Sequence, residues 1–222
     1  MPLTRESLLD DSFKERMLEE APGAMSLMDE AAFEASRQSI LRRAEAAGQL
    51  WVFAYGSLIW NPLIEVAESR PARLVGHSRQ FCVWAHIGRG TPEEPGLWLA
   101  LGPGGKAGGM ALRIAREDWD RETLILWRRE MISGVYRPEW LELETEAGPL
   151  PCCAFLANPD HERYAGPLSR EQVAAAIARG EGSLGTCRDY LFTLNERLRE
   201  TGHADPYLEE IERDVRALTE SA

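Results

Sequence analysis

The chain has 222 residues, 27% of them charged, and a formal net charge of −11 at pH 7. This length suits one domain of moderate size with an added terminal segment. The negative charge argues against a nucleic-acid partner, because phosphate binding needs clustered Lys and Arg. No apolar run reaches the roughly 20 residues that span a bilayer, and the polar N-terminus lacks a signal-peptide pattern. We therefore expect a cytoplasmic protein without a membrane partner.

Cysteine and histidine spacing gives no sign of a metal site. Four cysteines include the adjacent pair Cys152-Cys153 but no CxxC, and the four histidines show neither HxxxH nor HxH spacing. We expect buried free thiols, no disulfide framework, no metal and no cofactor.

Residues 1–48 are predicted to form a helical N-terminal extension, and residues 49–222 the main domain. Thr4 is a candidate N-cap for the first helix, but Ser7 stands where a capping box would need Glu or Gln. The extension either packs on the domain or stays partly mobile, and its sequence indicates no function.

Two helical segments are expected in this extension, separated by Pro22-Gly23. The second covers about residues 29–47 and places small and apolar side chains on one broad face. Gly48 is a natural stop for it.

Residues 51–55 are apolar at consecutive positions, which predicts a strand buried on both faces. The strand breaks at Gly56, which permits a tight turn and lets a ligand approach the main chain. The free amides of Ser57, Leu58 and Ile59 could then hold a carboxylate or an oxyanion. Gly-Ser is also a common turn dipeptide, so this stretch alone is more simply explained by an ordinary turn.

Short strands are predicted in the middle of the chain at residues 72–75, 79–85, 97–101 and 109–114. The glycine-rich stretch 102–109 lacks the GxxxxGK[ST] spacing of a phosphate-binding loop. We therefore expect a hairpin loop there.

Arg89 belongs to the segment 88–96, whose three glycines and two prolines predict a loop. Two roles are open for this arginine. Beside a pocket it can hold a substrate carboxylate through a two-pronged contact, and on a flexible turn it can simply be solvated.

A helix is predicted from Asp118, a candidate N-cap, to Ile132. At about 100° per residue, Trp119, Thr123, Leu126 and Trp127 form one mostly apolar stripe along this helix, and the carboxylate of Glu130 falls within the same stripe. An arbitrary glutamate in this place is a boundary residue that reaches solvent or pairs with an arginine. Partial burial would instead raise its pKa toward the range useful for acid–base catalysis.

The remaining elements are predicted to be strands at 140–144 and 151–156 and helices at 169–179, 186–201 and 206–218. The helix at 169–179 is predicted because Ser169 and Gln172 have capping-box spacing and because Gly180 can end the helix.

An ordered set of short motifs resembles the ChaC-like γ-glutamylcyclotransferases. The set comprises Tyr55-Gly56-Ser57-Leu58 with Ile59-Trp60-Asn61-Pro62, Arg89-Gly90-Thr91-Pro92, Pro95-Gly96-Leu97, Arg129-Glu130-Met131 with Gly134-Val135-Tyr136, and Asp205-Pro206-Tyr207-Leu208. The resemblance covers roughly residues 48–215, and the ordered set is far more specific than any one member. At residues 182–187 the sequence departs from the Ser-Gly-type approach to the following helix.

The resemblance implies an α+β fold, a small mixed β-barrel with surrounding helices. It also implies release of 5-oxoproline from γ-glutamyl compounds, with glutathione as the usual substrate and cysteinylglycine as the second product. Glu130 matches the acid–base residue of the family. The substrate-binding residues that we expect are Val52, Phe53, Ala54, Tyr55, Gly56, Ser57, Leu58, Arg89 and Tyr136.

Two alternatives stay open at this point. The chain could be a cyclotransferase for another γ-glutamyl amide, because no motif identifies the leaving group. It could also be a non-enzymatic module that binds an amino-acid-like ligand or regulates a partner. In either enzymatic case we expect a monomer that acts on a small γ-glutamyl molecule.

Overall fold

Five strands form a closed mixed barrel in this computed structural model, which describes residues 3–20, 22–23 and 26–220. They are β1 (Leu50–Ala54), β2 (Glu68–Ala85), β3 (Gly96–Ile114), β4 (Tyr136–Thr145) and β5 (Gly148–Ala157). The order around the barrel is β1-β3-β2-β4-β5. Successive neighbours are antiparallel, whereas β5 closes the barrel parallel to β1 at Val52 and Cys153. The predicted mixed barrel is confirmed.

Two long strands replace the four short ones expected between residues 72 and 114. β2 and β3 pair along nearly their whole lengths, and the loop between them, residues 86–95, contains the predicted loop segment except Gly96, which begins β3. The hairpin loop predicted for 102–109 is wrong, because these residues belong to β3. Glycine suits this part of β3 because neighbours lie very close: a Cβ on Gly109 would lie 2.3 Å from the carbonyl oxygen of Ala54.

β1 is buried on both faces, as predicted. Trp51 and Phe53 belong to a core shared with the helices at the C-terminal end of the chain. Leu50 and Val52 point the other way, into a second core built with the N-terminal helices and the helix that carries Glu130. The alternation of side chains along a strand thus lets β1 join two cores.

Seven α-helices surround the barrel in the described part of the chain. They are α1 (Arg5–Leu9), α2 (Ser12–Glu20), α3 (Glu30–Ala47), α4 (Trp119–Glu130), α5 (Arg170–Arg179), α6 (Cys187–Glu200) and α7 (Pro206–Glu220). The predicted capping box of Ser169 and Gln172 is present at the start of α5. Gly48 ends α3 with φ +67°, as its position predicted.

Thr4 and Asp118 both occupy the N-cap positions for which they were candidates, but one detail at each helix start was wrong. Ser7 completes a capping box with Thr4: each backbone amide donates to the other side-chain oxygen at 3.2 Å, because a hydroxyl can accept a hydrogen bond as a Glu or Gln oxygen does. Asp118 makes no side-chain cap, and its carboxylate instead pairs with Arg121 at 2.9 Å. The helix α4 also ends at Glu130, before the predicted Ile132.

The N-terminal helices pack on the rest of the molecule. Arg5 of α1 makes two short contacts, of 2.5 and 2.6 Å, with the carboxylate of Glu122, whose side chain is fully buried in α4. Arg37 of α3 donates to Asp120 at 2.7 Å. The division of the chain between residues 48 and 49 stays a sequence-based prediction.

All four cysteines, Cys82, Cys152, Cys153 and Cys187, are free and buried, as expected. Among the helices of the described ranges, none combines the length and the apolar character needed to cross a membrane.

Candidate active site

Two adjoining cavities lie beside the glycine turn and the C-terminal end of α4. The outer cavity has a volume of about 480 Å³, and the inner cavity, at the end of β1, has a volume of about 30 Å³. Four residues line both cavities: Ser57, Glu130, Tyr136 and Tyr190. The glycine turn and the glutamate, which lie far apart in the sequence, therefore meet at one place.

Glu130 is the last residue of α4, and its side chain is 17% exposed. Its carboxylate oxygen Oε1 lies 3.0 Å from Nε of Arg129. Burial raises the pKa of Glu130, and the adjacent Arg129 guanidinium opposes part of that rise. A buried carboxylate at the boundary of two cavities, with its pKa raised in this way, is suited to accept and return a proton.

Three tyrosine hydroxyls surround this carboxylate. Tyr55 donates to the carbonyl oxygen of Phe155 at 2.8 Å, and Tyr136 donates to that of Leu99 at 3.0 Å. Tyr190 was not among the predicted residues. Burial raises the pKa of all three hydroxyls, to about 12 for Tyr190, so they remain protonated at neutral pH.

Gly56 is required by space rather than by a left-handed backbone. Its φ is −131°, outside the left-handed region, so the resistance to a Cβ at this turn comes from a neighbouring side chain. A Cβ at this position would lie only 2.8 Å from the hydroxyl oxygen of Tyr190. The bare main chain therefore lets Tyr190 approach the mouth of the inner cavity.

The turn after Gly56 is a short 3-10 helix, Ser57–Ile59. The amide of Ile59 is not free, because it donates to the carbonyl oxygen of Gly56 at 3.0 Å. The amides of Ser57 and Leu58 have no acceptor among the described residues. Two of the three predicted amides thus remain able to bind an anion.

Arg129 fixes Glu130 relative to the glycine turn. Its Nη2 donates to the hydroxyl of Ser57 at 2.8 Å, and its Nη1 donates to the carbonyl oxygen of Asn61 at 2.5 Å. The Arg-Glu-Met motif contained this residue, but its sequence indicated no role for it.

Arg79 holds the residue that precedes the glycine turn, Tyr55, through its main chain. This buried arginine donates to the carbonyl oxygen of Tyr55 at 2.8 Å and to the carboxylate of Asp205 at 3.0 Å. It also donates to the carbonyl oxygen of Gly108. The Asp-Pro-Tyr-Leu motif therefore reaches the site indirectly, since Asp205 orients the arginine that holds Tyr55.

Two further arginines line the outer cavity. Arg89 donates to the carbonyl oxygen of Thr186 at 2.7 Å, and its guanidinium lies 5.0 Å from the ring centre of Tyr190. Arg163, which the sequence analysis missed, donates to the hydroxyl of Ser133 at 2.6 Å. Burial lowers the pKa of both, but a guanidinium remains charged at neutral pH.

The structure brings together most of the predicted site. The following residues line one or both cavities: Tyr55, Gly56, Ser57, Leu58, Arg89, Glu130 and Tyr136. Val52, Phe53 and Ala54 do not, because all three lie in the cores on either side of β1.

The N-terminal segment lines the outer cavity through Phe13 and Met17 of α2. Glu20, the last residue of α2, accepts hydrogen bonds from the amides of Gly88, at 3.1 Å, and Ser183, at 3.4 Å. Ser183 belongs to the segment 182–187, where the motif pattern breaks off. No periodicity or motif in the sequence indicated either contribution.

One cluster of carboxylates, Glu65, Asp118 and Glu122, is close enough to hold a cation. Arg121 contacts all three at distances between 2.9 and 3.1 Å, and Arg5 adds a 2.5 Å contact with Glu122. These two guanidinium groups already supply the balancing charge, so the cluster is accounted for by ion pairs.

In this closed barrel, the residues that carry the buried carboxylate, the two free amides and the three tyrosine hydroxyls line adjoining cavities, an arrangement typical of enzyme sites for small molecules. Comparison with known proteins identifies the family.

Residues 50–218 match the family described as "ChaC-like protein". The glutathione-specific γ-glutamylcyclotransferase of Escherichia coli K12 is 40% identical over 172 residues, covering 77% of this chain and 74% of that protein. γ-Glutamylcyclotransferase 2-3 of Arabidopsis thaliana is 33% identical over 180 residues, covering 76% and 89%. A yeast cyclotransferase specific to glutathione superimposes with a TM-score of 0.73 at 22% identity, covering 78% of this chain and 98% of that chain.

The chain therefore belongs to the ChaC-like family. The predicted family and the predicted enzyme class, a γ-glutamylcyclotransferase, are confirmed by these relatives, and the solved yeast structure shows the same fold.

Proposed function

We propose that the enzyme cleaves glutathione into 5-oxoproline and cysteinylglycine by intramolecular aminolysis. The observation that carries this proposal is the position of Glu130, a carboxylate with a raised pKa that faces the two free amides where the cavities meet. The E. coli relative is named as specific for glutathione. The volume of the outer cavity is within the usual range for small-molecule sites, so a tripeptide can enter.

The reaction forms one C–N bond and breaks another at the same carbon. The α-amine of the γ-glutamyl group attacks its own side-chain amide carbon, which closes a five-membered lactam. The amide C–N bond to the cysteinyl nitrogen then breaks. Because nucleophile and electrophile belong to one molecule, the protein mainly has to hold the substrate in a folded conformation.

Glu130 serves both nitrogens in turn. It first takes a proton from the attacking amine, and it then returns a proton to the cysteinyl nitrogen as that group leaves. One carboxylate suffices, because both nitrogens are bound to the same tetrahedral carbon. The buried position suits this role, since burial raises the pKa of Glu130 and so makes its protonated form easier to reach than that of an ordinary glutamate.

The amides of Ser57 and Leu58 are proposed to bind the oxyanion or the α-carboxylate of the γ-glutamyl group. Arg89 is proposed to bind a substrate carboxylate from the outer cavity. Tyr55 and Tyr136 add hydroxyl groups that can contact the bound substrate.

The test is to incubate the purified protein with glutathione and to measure 5-oxoproline and cysteinylglycine by mass spectrometry. We expect Glu130→Gln to lower kcat by about 10²- to 10⁴-fold while the circular dichroism spectrum stays unchanged. Glu139→Gln, a change of an exposed glutamate on β4, is the matched control and should keep full activity.

Two outcomes would contradict the proposal. An active Glu130→Gln variant would remove Glu130 from the mechanism. If the wild type makes no 5-oxoproline from glutathione but makes it from another γ-glutamyl amine, that amine is the substrate instead. If no γ-glutamyl amine in a panel yields 5-oxoproline, the non-enzymatic binding module is favoured.

We further propose that the enzyme acts as a monomer in the cytoplasm. A monomer is proposed because a single chain supplies the buried carboxylate, the free amides and the tyrosine hydroxyls of the site, so the reaction needs no residue from a second copy. The cytoplasm suits free cysteines, because glutathione keeps thiols unpaired there.

A further inference from the structure

Arg163 is a buried arginine whose charge is not balanced. Its side chain lies at the outer cavity, and the residue is 7% exposed. Nη2 donates to the hydroxyl of Ser133 at 2.6 Å. Nε is buried without a partner, and Nη1 makes no hydrogen bond with any residue that the structure describes. In that same part of the chain, no carboxylate lies within ion-pair distance of the guanidinium.

The two other arginines that are as fully buried as Arg163 pair with carboxylates, whereas Arg89, which is less buried, shares with Arg163 an unpartnered Nε. Arg37 pairs with Glu34 and Asp120, at 2.8 and 2.7 Å, and Arg79 pairs with Asp205 at 3.0 Å. Burying a charge is unfavourable unless a partner of opposite charge and hydrogen bonds compensate it. A ligand carboxylate in the outer cavity would supply the compensation that the protein itself does not.

The position of Arg163 indicates which end of the substrate it contacts. It lines the outer cavity only, whereas Glu130 and Tyr190 line both cavities. Under the proposed function the γ-glutamyl carbon reacts beside Glu130, so the leaving group extends into the outer cavity. Arg89 also lines the outer cavity only, but its guanidinium lies 5.0 Å from the ring centre of Tyr190, a residue of both cavities, so we place Arg89 nearer the γ-glutamyl end.

We propose that Arg163 binds the carboxylate at the far end of the leaving group. This inference rests on the proposed function, and with glutathione as substrate the group bound is the glycyl carboxylate. The contact is a charge-assisted hydrogen bond from the free side of the guanidinium. Arg163 thereby selects γ-glutamyl peptides that end in a carboxylate over neutral γ-glutamyl amides.

The test compares glutathione with its C-terminal amide, in which the glycyl carboxylate is replaced by a neutral carboxamide. For the wild type we expect kcat/KM to be about 10- to 100-fold lower on the amide. Arg163→Met should lower kcat/KM on glutathione by a similar factor, mainly through KM, and should change activity on the amide little. Arg163→Lys, which keeps the charge, should recover part of the loss.

Arg137→Met is the control, because Arg137 lies on β4 with its side chain 44% exposed. It should behave as the wild type on both compounds. Thermal unfolding of each variant shows whether its fold is intact. If Arg163→Met does not fold, the kcat/KM values of the wild type on the two compounds still show whether the glycyl carboxylate is recognised.

Two outcomes overturn the inference. One is equal kcat/KM of the wild type on glutathione and its amide. The other is a loss in Arg163→Met that is as large on the amide as on glutathione, which would indicate a role in holding the Ser133 loop or another carboxylate.

The proposed function can fail separately. If the wild type releases no 5-oxoproline from either compound, calorimetry with the Glu130→Gln variant gives the same comparison as dissociation constants. Binding of glutathione that is about 10-fold or more tighter than binding of the amide supports the carboxylate contact without turnover, and equal binding refutes it.

Discussion

Glu130 could be located from the sequence because a single helix determines its surroundings. A carboxylate within a stripe of Trp119, Leu126 and Trp127 must face the core side of α4, and these three residues are buried. The role of its neighbour Arg129 could not be predicted from the helix alone. The partners of Arg129 in the glycine turn come from a distant part of the chain, and only the closed barrel brings them near.

The pH dependence of activity provides a prediction at this scale. Burial raises the pKa of Glu130, and Arg129 partly opposes the rise. Because the base must be ionised to accept a proton, kcat/KM should fall as the pH drops through this raised pKa. The fall should begin above the pH at which an ordinary glutamate titrates. Arg129→Met removes a charge that favours the ionised form, so it should shift the acid limb to higher pH.

Profiles of kcat/KM between about pH 4 and pH 9 for the wild type, Arg129→Met and Arg128→Met check this expectation. Arg128 is the adjacent arginine on α4, and it donates to the carbonyl oxygens of Leu8 and Leu9 rather than contacting Glu130. An acid limb that stays in place or moves to lower pH in Arg129→Met would contradict the account.

At the scale of elements, the helices from α3 onward were predictable within a few residues because their signals are local. The single helical segment expected before Pro22-Gly23 was wrong: it is two helices, α1 and α2, separated at Asp10-Asp11, where Asp11 has φ +63°. Ser169 and Gln172 lie one turn apart, and Gly48 follows directly on the helix that it ends. The long β3 was not predictable. Its glycines suggest a loop, and the reasons for them are contacts with Ala54 and with His203, which lie far away in the sequence.

Docking of α1 on α4 depends on the buried carboxylate of Glu122. Burial alone would raise its pKa, but hydrogen bonds from Arg5, the amide of Glu65 and Arg121 outweigh burial and lower the pKa. Arg5→Ala removes the closest partner and leaves Arg121 and the amide in place. We expect the free energy of unfolding to fall by about 1–3 kcal/mol, measured by urea denaturation at neutral pH.

Arg42→Ala serves as the control for this change, because Arg42 is exposed on α3. Its effect should stay within about 0.5 kcal/mol. Equal stability of the two variants would mean that the Arg5–Glu122 contact does not hold α1 in place.

At the scale of the whole molecule, the outer cavity is assembled from segments that no local pattern connects. Phe13 and Met17 line it from α2, although the family match begins only at residue 50. The sequence predicted the motif-bearing side of the site, since those residues repeat a known pattern. It could not predict the opposite side, because that side depends on how α2 packs against the 88–96 and 182–187 loops.

Glu20 connects α2 to both loops and gives a test of this arrangement. Glu20→Ala removes the acceptor for the amides of Gly88 and Ser183. Loss of about 1 kcal/mol of hydrogen bonding should loosen α2 and raise KM for glutathione about fivefold, with a smaller change in kcat. Steady-state kinetics measure this effect.

Glu19→Ala is the matched control, because Glu19 precedes Glu20 on the same helix and is exposed. An unchanged KM in Glu20→Ala, or an equal rise in both variants, would show that α2 does not contribute to substrate binding through this contact.

The four buried cysteines have a consequence under the proposed function, in which the substrate, glutathione, carries a thiol of its own. Only the thiolate exchanges with disulfides, and burial raises the pKa of Cys82 and of Cys152 to about 12. Burial also raises the pKa of Cys153 and Cys187. The protein is thus poorly able to form mixed disulfides with oxidised glutathione. With glutathione as the proposed substrate, oxidative stress would then act mainly through the amount of reduced substrate rather than through the thiols of the enzyme.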